Sequence, residues 1–168
     1  APNVTFITLG TNHIYRLKET GEIVDNCRKK PQTLFSEEVL TVDECVEYLE
    51  KTVEELFRRN PQVRVVITVS PIRYAKYGFH GSQLSKATLL LAADKLVSTY
   101  ADYCEYFPAY EIVNDELRDY RFYNEDMLHP SEQTVNYLWE RLVEYFFSAE
   151  AKTFMEEWRP IKEALGHK

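Results

Sequence analysis

The sequence predicts an α/β fold in which helices cover a parallel β-sheet. Short apolar runs typical of strands alternate along the chain with longer segments whose apolar residues recur at helical spacing. One of these runs, residues 63–69, is almost continuously apolar, as expected of a strand buried on both faces of a parallel sheet. The order strand, loop, helix then repeats along the chain, and this alternation is typical of parallel sheets with helices on their faces.

Three strands are predicted in this sheet. Residues 4–9 form a β-branched and aromatic run that ends at Gly10. Residues 63–69 form the second strand. A third strand is expected at about residues 109–113, directly after Pro108.

The predicted helices follow these strands. Asp43 is a suitable N-cap for a helix over residues 43–59, and a second helix is expected over about residues 85–103. Ser131 can cap the last main helix. Residues 149–168 are predicted to be a C-terminal helical extension of a single domain that spans residues 1–168.

The connections differ in length. Residues 11–42 are polar and rich in turn residues, so we expect a long irregular loop, and such loops inside a compact domain are usually functional. Residues 72–83 are expected to form a second loop.

Composition excludes several classes of function. A length of 168 residues suits one domain with a single core. The formal net charge of -7 argues against a nucleic-acid partner, which favours clustered Lys and Arg. No apolar run approaches the ~20 residues of a membrane span, so no membrane association is expected.

Three cysteines have no metal-ligand spacing. Cys45 and Cys104 are expected to be reduced thiols in the core, which predicts a cytoplasmic protein. Cys27 lies in a polar segment, where a packing role is favoured over a reactive thiol. The histidines also lack the spacing of paired metal ligands, so we expect neither a metal nor a cofactor.

Polar segments follow each predicted strand. Residues 10–13, 70–73 and 114–129 all begin at strand carboxyl ends, where parallel α/β sheets bind their ligands. We expect these three segments to converge on one site.

The leading candidates within that site are Asp126 and His129, three residues apart. A carboxylate can orient an imidazole, fix its tautomer and stabilise its protonated form, as a general base for a hydroxyl nucleophile requires. The alternative is that Asp126 is a turn residue and His129 a surface histidine.

Gly10 and Asn12 are candidates for stabilising an oxyanion, although Gly10 also suits a tight strand exit and Asn12 a turn. Ser70 is a possible hydroxyl nucleophile. However, Pro71 removes the backbone N–H that usually completes an oxyanion hole, so Ser70 is expected to shape the pocket. His13 is a weaker candidate.

Further charged and polar residues could bind a ligand or support the site. Arg73, Ser85 and Lys86 could hold an anionic or acyl-carrying ligand; alternatively, Ser85 caps a helix and Lys86 is solvated. Between residues 115 and 123, charges of both signs alternate with aromatic residues. This pattern favours a buried or pocket-lining salt-bridge network, whose members are Glu116, Arg118, Asp119 and Arg121.

Several motifs in order resemble one family. They are Thr8-Leu9-Gly10-Thr11, Asn26-Cys27 with Pro31 and Phe35, Thr68 to Arg73, Ser85-Lys86-Ala87, and the long stretch from Tyr106 through Tyr123 to Asp126-Met127-Leu128-His129-Pro130-Ser131. Over nearly the whole chain to about residue 147, the sequence resembles bacterial GSCFA-domain proteins, which are related to the SGNH, or GDSL-like, hydrolases.

The resemblance implies a flavodoxin-like three-layer α/β/α fold and an ester or acyl hydrolase site. It implies that His129 is the catalytic base, that Asp126 orients it, and that Gly10 and Asn12 occupy a block that builds the oxyanion hole. Two residues depart from the pattern: little asparagine is expected at position 12 in GSCFA relatives, and His13 replaces the aspartate of the wider SGNH motif.

The largest departure is at the start of the chain. The motif Gly-Ser-Cys-Phe-Ala, which would carry the serine nucleophile, does not occur, and the chain begins at Ala1 without a methionine. We expect it to lack the family's first two strands. The strand at residues 4–9 would then have an unpaired apolar edge, covered by another copy, a swapped segment or residues outside this sequence.

These observations support two functions. The first is an SGNH-like serine hydrolase acting on an ester or acyl group of a small molecule, a carbohydrate or a cell-envelope component, with its nucleophile supplied from outside this chain. The second is a non-catalytic ligand-binding or regulatory module on the same fold. A homo-oligomeric scaffold that uses the sheet edge is a third, weaker hypothesis.

Overall fold

A computed structural model describes residues 4–24 and 30–166 of the protein. Its central sheet contains three parallel strands: β1 (Val4–Leu9), β5 (Arg64–Val69) and β6 (Cys104–Phe107), in the spatial order β1-β5-β6. Strands β1 and β5 pair over their whole length, from Val4 opposite Arg64 to Leu9 opposite Val69. The carboxyl ends of the two strands therefore lie side by side.

Helices cover both faces of this sheet. On one face, α1 (Val42–Arg59) and α2 (Gly78–Thr99) pack against alternate residues of β5, including Val65 and Ile67, in the larger hydrophobic core. On the other face, α4 (Glu132–Phe146) packs against Val66. The predicted parallel sheet and the three-layer α/β/α arrangement are confirmed.

The helix starts test the predicted caps. The N-cap of α1 is Thr41, and the predicted cap Asp43 lies in the first turn. Thr41 accepts the N–H of Glu44, and the Glu44 carboxylate accepts the N–H of Thr41, so a reciprocal capping box sets the start. The prediction for α4 is confirmed, because Ser131 Oγ accepts the N–H of Thr134.

Two further boundaries were wrong. Helix α2 begins at Gly78, so part of the predicted loop at residues 72–83 is helical. The third strand is β6, and the predicted strand at 109–113 instead forms a short helix α3 (Ala109–Glu111) that continues as a π-helix (Ile112–Leu117). The buried residues there, Ala109, Ile112 and Val113, have helical spacing, which explains the error.

The segment 11–42 is also more ordered than predicted. It contains a second sheet of three antiparallel strands, β2 (His13–Leu17), β3 (Ile23–Val24) and β4 (Phe35–Val39), in the order β3-β2-β4. All five residues of β2 are half-buried, so the strand has no alternation of buried and exposed positions that a sequence pattern could show. Cys27 lies outside the described residues, whereas Cys45 and Cys104 are buried as predicted.

Strand β1 is at the edge of the parallel sheet, and β5 is its sole strand neighbour within the described part of the chain. Along β1, exposed residues alternate with half-buried ones, and Val4 and Phe6 are 37% and 39% exposed. After α4, residues Ala149–Gly166 form helix α5. No helix within the described ranges is long and apolar enough to cross a membrane.

Candidate functional site

The three polar segments meet beyond the carboxyl ends of β1 and β5. The backbone N–H of Ser70 donates to the carbonyl of Leu9 at 2.9 Å, which joins the exits of the two strands. The N–H of Arg73 donates to the carbonyl of Leu128, also at 2.9 Å. The segment after β5 therefore contacts both the turn after β1 and the loop that contains His129.

Asp126 and His129 form a direct pair. Asp126 Oδ2 lies 2.5 Å from His129 Nδ1. The other carboxylate oxygen, Oδ1, accepts the backbone N–H of Leu128 at 2.8 Å and that of His129 at 3.0 Å. These backbone hydrogen bonds, followed by the contact with the imidazole, lower the pKa of Asp126 to about 2. The carboxylate is therefore ionised at neutral pH.

The imidazole of His129 is accessible to a reactant. Its side chain is 57% exposed, and Nε2 has no hydrogen-bond partner within the described part of the chain. With Nδ1 held by a carboxylate, Nε2 is the nitrogen that can accept a proton from a hydroxyl group. This geometry is the one that an oriented general base would need.

Arg73 fixes the loop between these two residues. Its guanidinium donates to the carbonyl of Met127 at 2.7 Å, while its backbone N–H bonds to Leu128. Met127 has a positive φ of 62°, which is uncommon for a non-glycine residue. The Arg73 guanidinium also lies over three aromatic rings at 5.0–6.0 Å, those of Phe79, Tyr120 and Tyr123.

Two consecutive residues of α2 hold the turn after β1. Lys86 Nζ donates to the carbonyl of Gly10 at 2.7 Å, and Ser85 Oγ accepts the N–H of Asn12 at 3.1 Å. Both side chains are 2% exposed. Ser85 is therefore not a helix cap and Lys86 is not solvated; burial lowers the pKa of Lys86 to about 8.

A side chain at position 10 would crowd Tyr74, which lies against Gly10. A Cβ atom at position 10 would stand 2.8 Å from the Tyr74 hydroxyl oxygen. The ring of Tyr74 also lies 5.3 Å from Lys86 Nζ and stacks on Tyr77. Gly10, Lys86 and Tyr74 therefore form one packed unit.

Asn12 has a tethering role in this structure. It is 4% exposed, and its Nδ2 donates to the carbonyl of Leu40 at 2.8 Å while its own carbonyl accepts the Leu40 N–H. Its backbone N–H is taken by Ser85. The contacts of Asn12 therefore hold the start of β2 to the residue after β4.

Ser70 and His13 also have structural partners. Ser70 Oγ accepts the N–H of Ile72 at 3.2 Å, which stabilises the turn after β5. His13 lies in β2, stacks on Tyr77 with a centroid separation of 3.5 Å and has Nδ1 3.1 Å from Glu37. Neither residue hydrogen-bonds to Asp126 or His129.

The charged residues between 116 and 121 are exposed and do not form one connected network, although Arg118 and Asp119 line a cavity. Glu116 accepts from Arg141 at 2.5 Å, and Arg121 lies 3.8 Å from Asp119. Arg118 has neither a side-chain hydrogen bond nor an ion pair with a described residue. All four predicted members of the network, Glu116, Arg118, Asp119 and Arg121, are exposed.

A cavity of about 230 Å³ is lined in part by Arg73, the residue that is hydrogen-bonded to the Asp126–His129 loop. Its walls come from the segment after β5, from α2, from the π-helix and from the residues that follow it. The lining residues are Arg73, Ser82, Gln83, Lys86, Tyr110, Val113, Asn114, Arg118, Asp119, Tyr120 and Tyr123. Through Arg73 and Lys86 the cavity wall is hydrogen-bonded to both the Asp126–His129 loop and the Gly10 turn.

Comparison with protein-family models gives a match to the GSCFA family over residues 1–142. The chain belongs to the GSCFA family. The matched residues include the Gly10 turn, the Asp126–His129 loop and most of α4, and helix α5 lies beyond them. Searches of curated proteins and of solved structures found no match.

Three further aromatic residues support this site, and sequence reasoning missed two of them, Tyr74 and Tyr77. Tyr74 covers Gly10, Tyr77 stacks on both Tyr74 and His13, and the Tyr123 hydroxyl donates to the carbonyl of Pro71 at 2.9 Å. The spacing of Tyr74 and Tyr77, three residues apart in the segment after β5, was the available signal.

Within the described ranges, no three His, Cys, Asp or Glu side chains are placed to hold a metal ion.

Proposed function

We propose that this chain carries the acid–base half of an SGNH-like serine hydrolase that cleaves an ester or acyl group. The observation that carries the proposal is the 2.5 Å contact between Asp126 and His129 Nδ1, which leaves Nε2 exposed and unpaired within the described part of the chain. The resemblance to hydrolases indicates an acyl group on a carbohydrate or cell-envelope component as the substrate.

In the proposed reaction, a serine hydroxyl attacks the ester carbonyl and His129 Nε2 takes its proton. The negative charge of Asp126 stabilises the imidazolium that forms. As the tetrahedral intermediate collapses, His129 returns the proton to the leaving alkoxide, which departs as an alcohol. Water then attacks the acyl-enzyme with His129 again as the base, which releases the carboxylic acid and restores the serine.

The nucleophile is proposed to lie outside this chain. Ser70 and Ser82 accept backbone N–H groups of Ile72 and Tyr74, and Ser85 accepts that of Asn12, so these hydroxyls support turns. A strand added parallel to the free edge of β1, about 4.8 Å away, would end beside Gly10. Such a strand would bring a serine at its carboxyl end towards the site.

That added strand would come from residues outside this sequence or from another copy of the chain. The mass of the species in solution distinguishes these sources. A dimer that dissociates when Phe6 is replaced by Lys would indicate another copy, since Phe6 is 39% exposed on β1. A monomer would count against another copy.

A non-catalytic binding module is the second candidate, and the contacts of Asn12 favour it. Its backbone N–H is bonded to Ser85 and its side-chain amide donates to Leu40, so neither is directed to an oxyanion. A ligand-binding protein would retain the cavity, and the Asp126–His129 loop would hold Arg73 of its wall in place.

Hydrolysis of acetyl esters by the complete protein that contains these residues tests the proposal. We expect His129→Ala to lower kcat/KM by about a hundredfold or more and Asp126→Asn to lower it less. His80→Ala is the matched control, since His80 is exposed on α2 and should leave the rate unchanged. Full activity in His129→Ala would contradict the hydrolase, and saturable ligand binding without turnover would favour the binding module.

A further inference from the structure

We propose that the cavity beside the Asp126–His129 loop binds a compact anionic group, a carboxylate or a phosphate, through the guanidinium of Arg118. The inference deepens the proposed function, on which it rests for the assignment of the anion to the substrate. It concerns which substrates the site accepts, whereas the acid–base pair concerns how they react.

The charge of the cavity is the first observation. Three cationic side chains line it, those of Arg73, Lys86 and Arg118, and Asp119 is the sole carboxylate among its described lining residues. The chain as a whole has a formal net charge of -7. A locally cationic cavity on an acidic protein attracts anions and repels cations.

The partners of these cations identify Arg118 as the available group. Arg73 donates to the carbonyl of Met127, and Lys86 donates to that of Gly10. Arg118, by contrast, makes no side-chain hydrogen bond or ion pair within the described ranges. A guanidinium can offer two parallel N–H donors, which suits both carboxylate and phosphate oxygens.

The backbone at Arg118 is a further indication. Arg118 ends the π-helix Ile112–Leu117 in a left-handed conformation, with φ 58° and ψ 20°. This conformation is unfavourable for a non-glycine residue, and π-helical turns occur frequently at functional sites. The fold therefore places an arginine on the cavity wall where glycine would be less strained.

The remaining wall suits a ring or chain attached to the anion. Tyr120 lines the cavity and is 58% exposed, and Tyr110 and Tyr123 contribute further aromatic surface. Exposed tyrosine rings stack on sugar rings and other flat apolar surfaces. We therefore infer a small acylated molecule in which the anionic group lies near Arg118 and the acyl group near His129.

Equilibrium binding to the 168-residue chain tests this inference without turnover. The probes are D-glucuronate and D-glucose 6-phosphate, with D-glucose as the neutral match, titrated by calorimetry in low and high NaCl. We expect at least one anionic probe to bind saturably, more tightly than glucose and more weakly in high salt. Preference for one probe distinguishes a carboxylate from a phosphate.

Variants locate the binding. Arg118→Gln should weaken the anionic probe about tenfold or more, since a hydrogen bond to a charged group is lost, and Arg118→Lys should retain part of the affinity. The control Arg58→Gln changes an exposed arginine of α1 that pairs with Glu55 and does not line the cavity. The affinity of this control variant for the anionic probe should equal that of the wild type.

Three results would overturn the inference: no saturable binding of either anion, equal binding of glucose, or equal losses in Arg118→Gln and Arg58→Gln. The His129→Ala variant separates this inference from the hydrolase proposal, since it should bind the anion normally. Anion binding without ester turnover would remove the hydrolase alone, whereas turnover of acetyl esters without any anion preference would remove the anion site alone.

Discussion

The guanidinium of Arg73 donates a 2.7 Å hydrogen bond to the carbonyl oxygen of Met127, in the middle of the Asp126–His129 loop. Met127 has a left-handed backbone, so the loop adopts this path at an energetic cost that neighbouring contacts must offset. Arg73 is thus a positioning residue: it holds the backbone that places the carboxylate against the imidazole.

Replacing Arg73 with Met should loosen this loop without unfolding the domain. The hydrogen bond to Met127 and the contacts with three aromatic rings would be lost, at a cost of about 1–2 kcal/mol. We expect hydrogen exchange at the backbone N–H groups of Leu128 and His129 to become about tenfold faster. Arg58→Met, on the exposed face of α1, is the control; unchanged exchange in Arg73→Met would show that the loop holds itself.

The Asp126 carboxylate should make the loop sensitive to strong acid. Its pKa is about 2 in the folded chain against an ordinary 3.8, so its stabilising contacts are fully present above about pH 4 and disappear as pH falls through 2. Asp126→Asn removes this dependence. Unfolding midpoints of the two proteins, measured in urea between pH 2 and 5, should converge as pH falls; a constant difference would contradict the assignment.

Gly10→Ala should be destabilising because of Tyr74. The new Cβ would meet the tyrosine hydroxyl at 2.8 Å, and such overpacking costs about 1–3 kcal/mol. Tyr74→Phe removes the hydroxyl, so the same glycine substitution should cost less in that background. A double-mutant cycle from urea unfolding measures the difference, and additive effects would show that Tyr74 is not the obstacle.

Lys86 should give stability an unusual dependence on alkaline pH. Its folded pKa of about 8 lies below the ordinary 10.5, so between these values the unfolded chain holds a proton that the native chain has released. Raising the pH from 8 to 10.5 should therefore stabilise the wild type relative to Lys86→Met. Lys95→Met, which removes an exposed lysine that pairs with Asp43, is the control for the loss of a lysine side chain.

The fold class and the parallel sheet were predictable because the apolar run of β5 and the helical spacing of α1 and α4 follow directly from burial. The second sheet was not predictable, because all five residues of β2 are half-buried and the strand therefore has no alternating apolar pattern. The strand β6 is only four residues long, and the helix after it has similar composition, so the boundary between them was misplaced.

Within the site, proximity in sequence decided what could be predicted. Asp126 and His129 lie on one loop, so their contact needs only a turn. Lys86 and Gly10 are 76 positions apart in the sequence, and Asn12 and Leu40 are 28 positions apart. Only the tertiary fold brings the members of each pair into contact. Likewise, the sequence could not show that Glu116 pairs with Arg141 of α4 and leaves Arg118 without a partner.

The central claim is that Asp126 prepares His129 to accept a proton through Nε2. Its most direct test is the tautomer of the neutral imidazole, measured by ¹⁵N NMR of the histidine side chains in wild type and Asp126→Asn. We expect His129 in the wild type to carry its proton on Nδ1, bonded to Asp126, and to lose this preference in Asp126→Asn. A wild-type His129 that carries its proton on Nε2 would contradict the account.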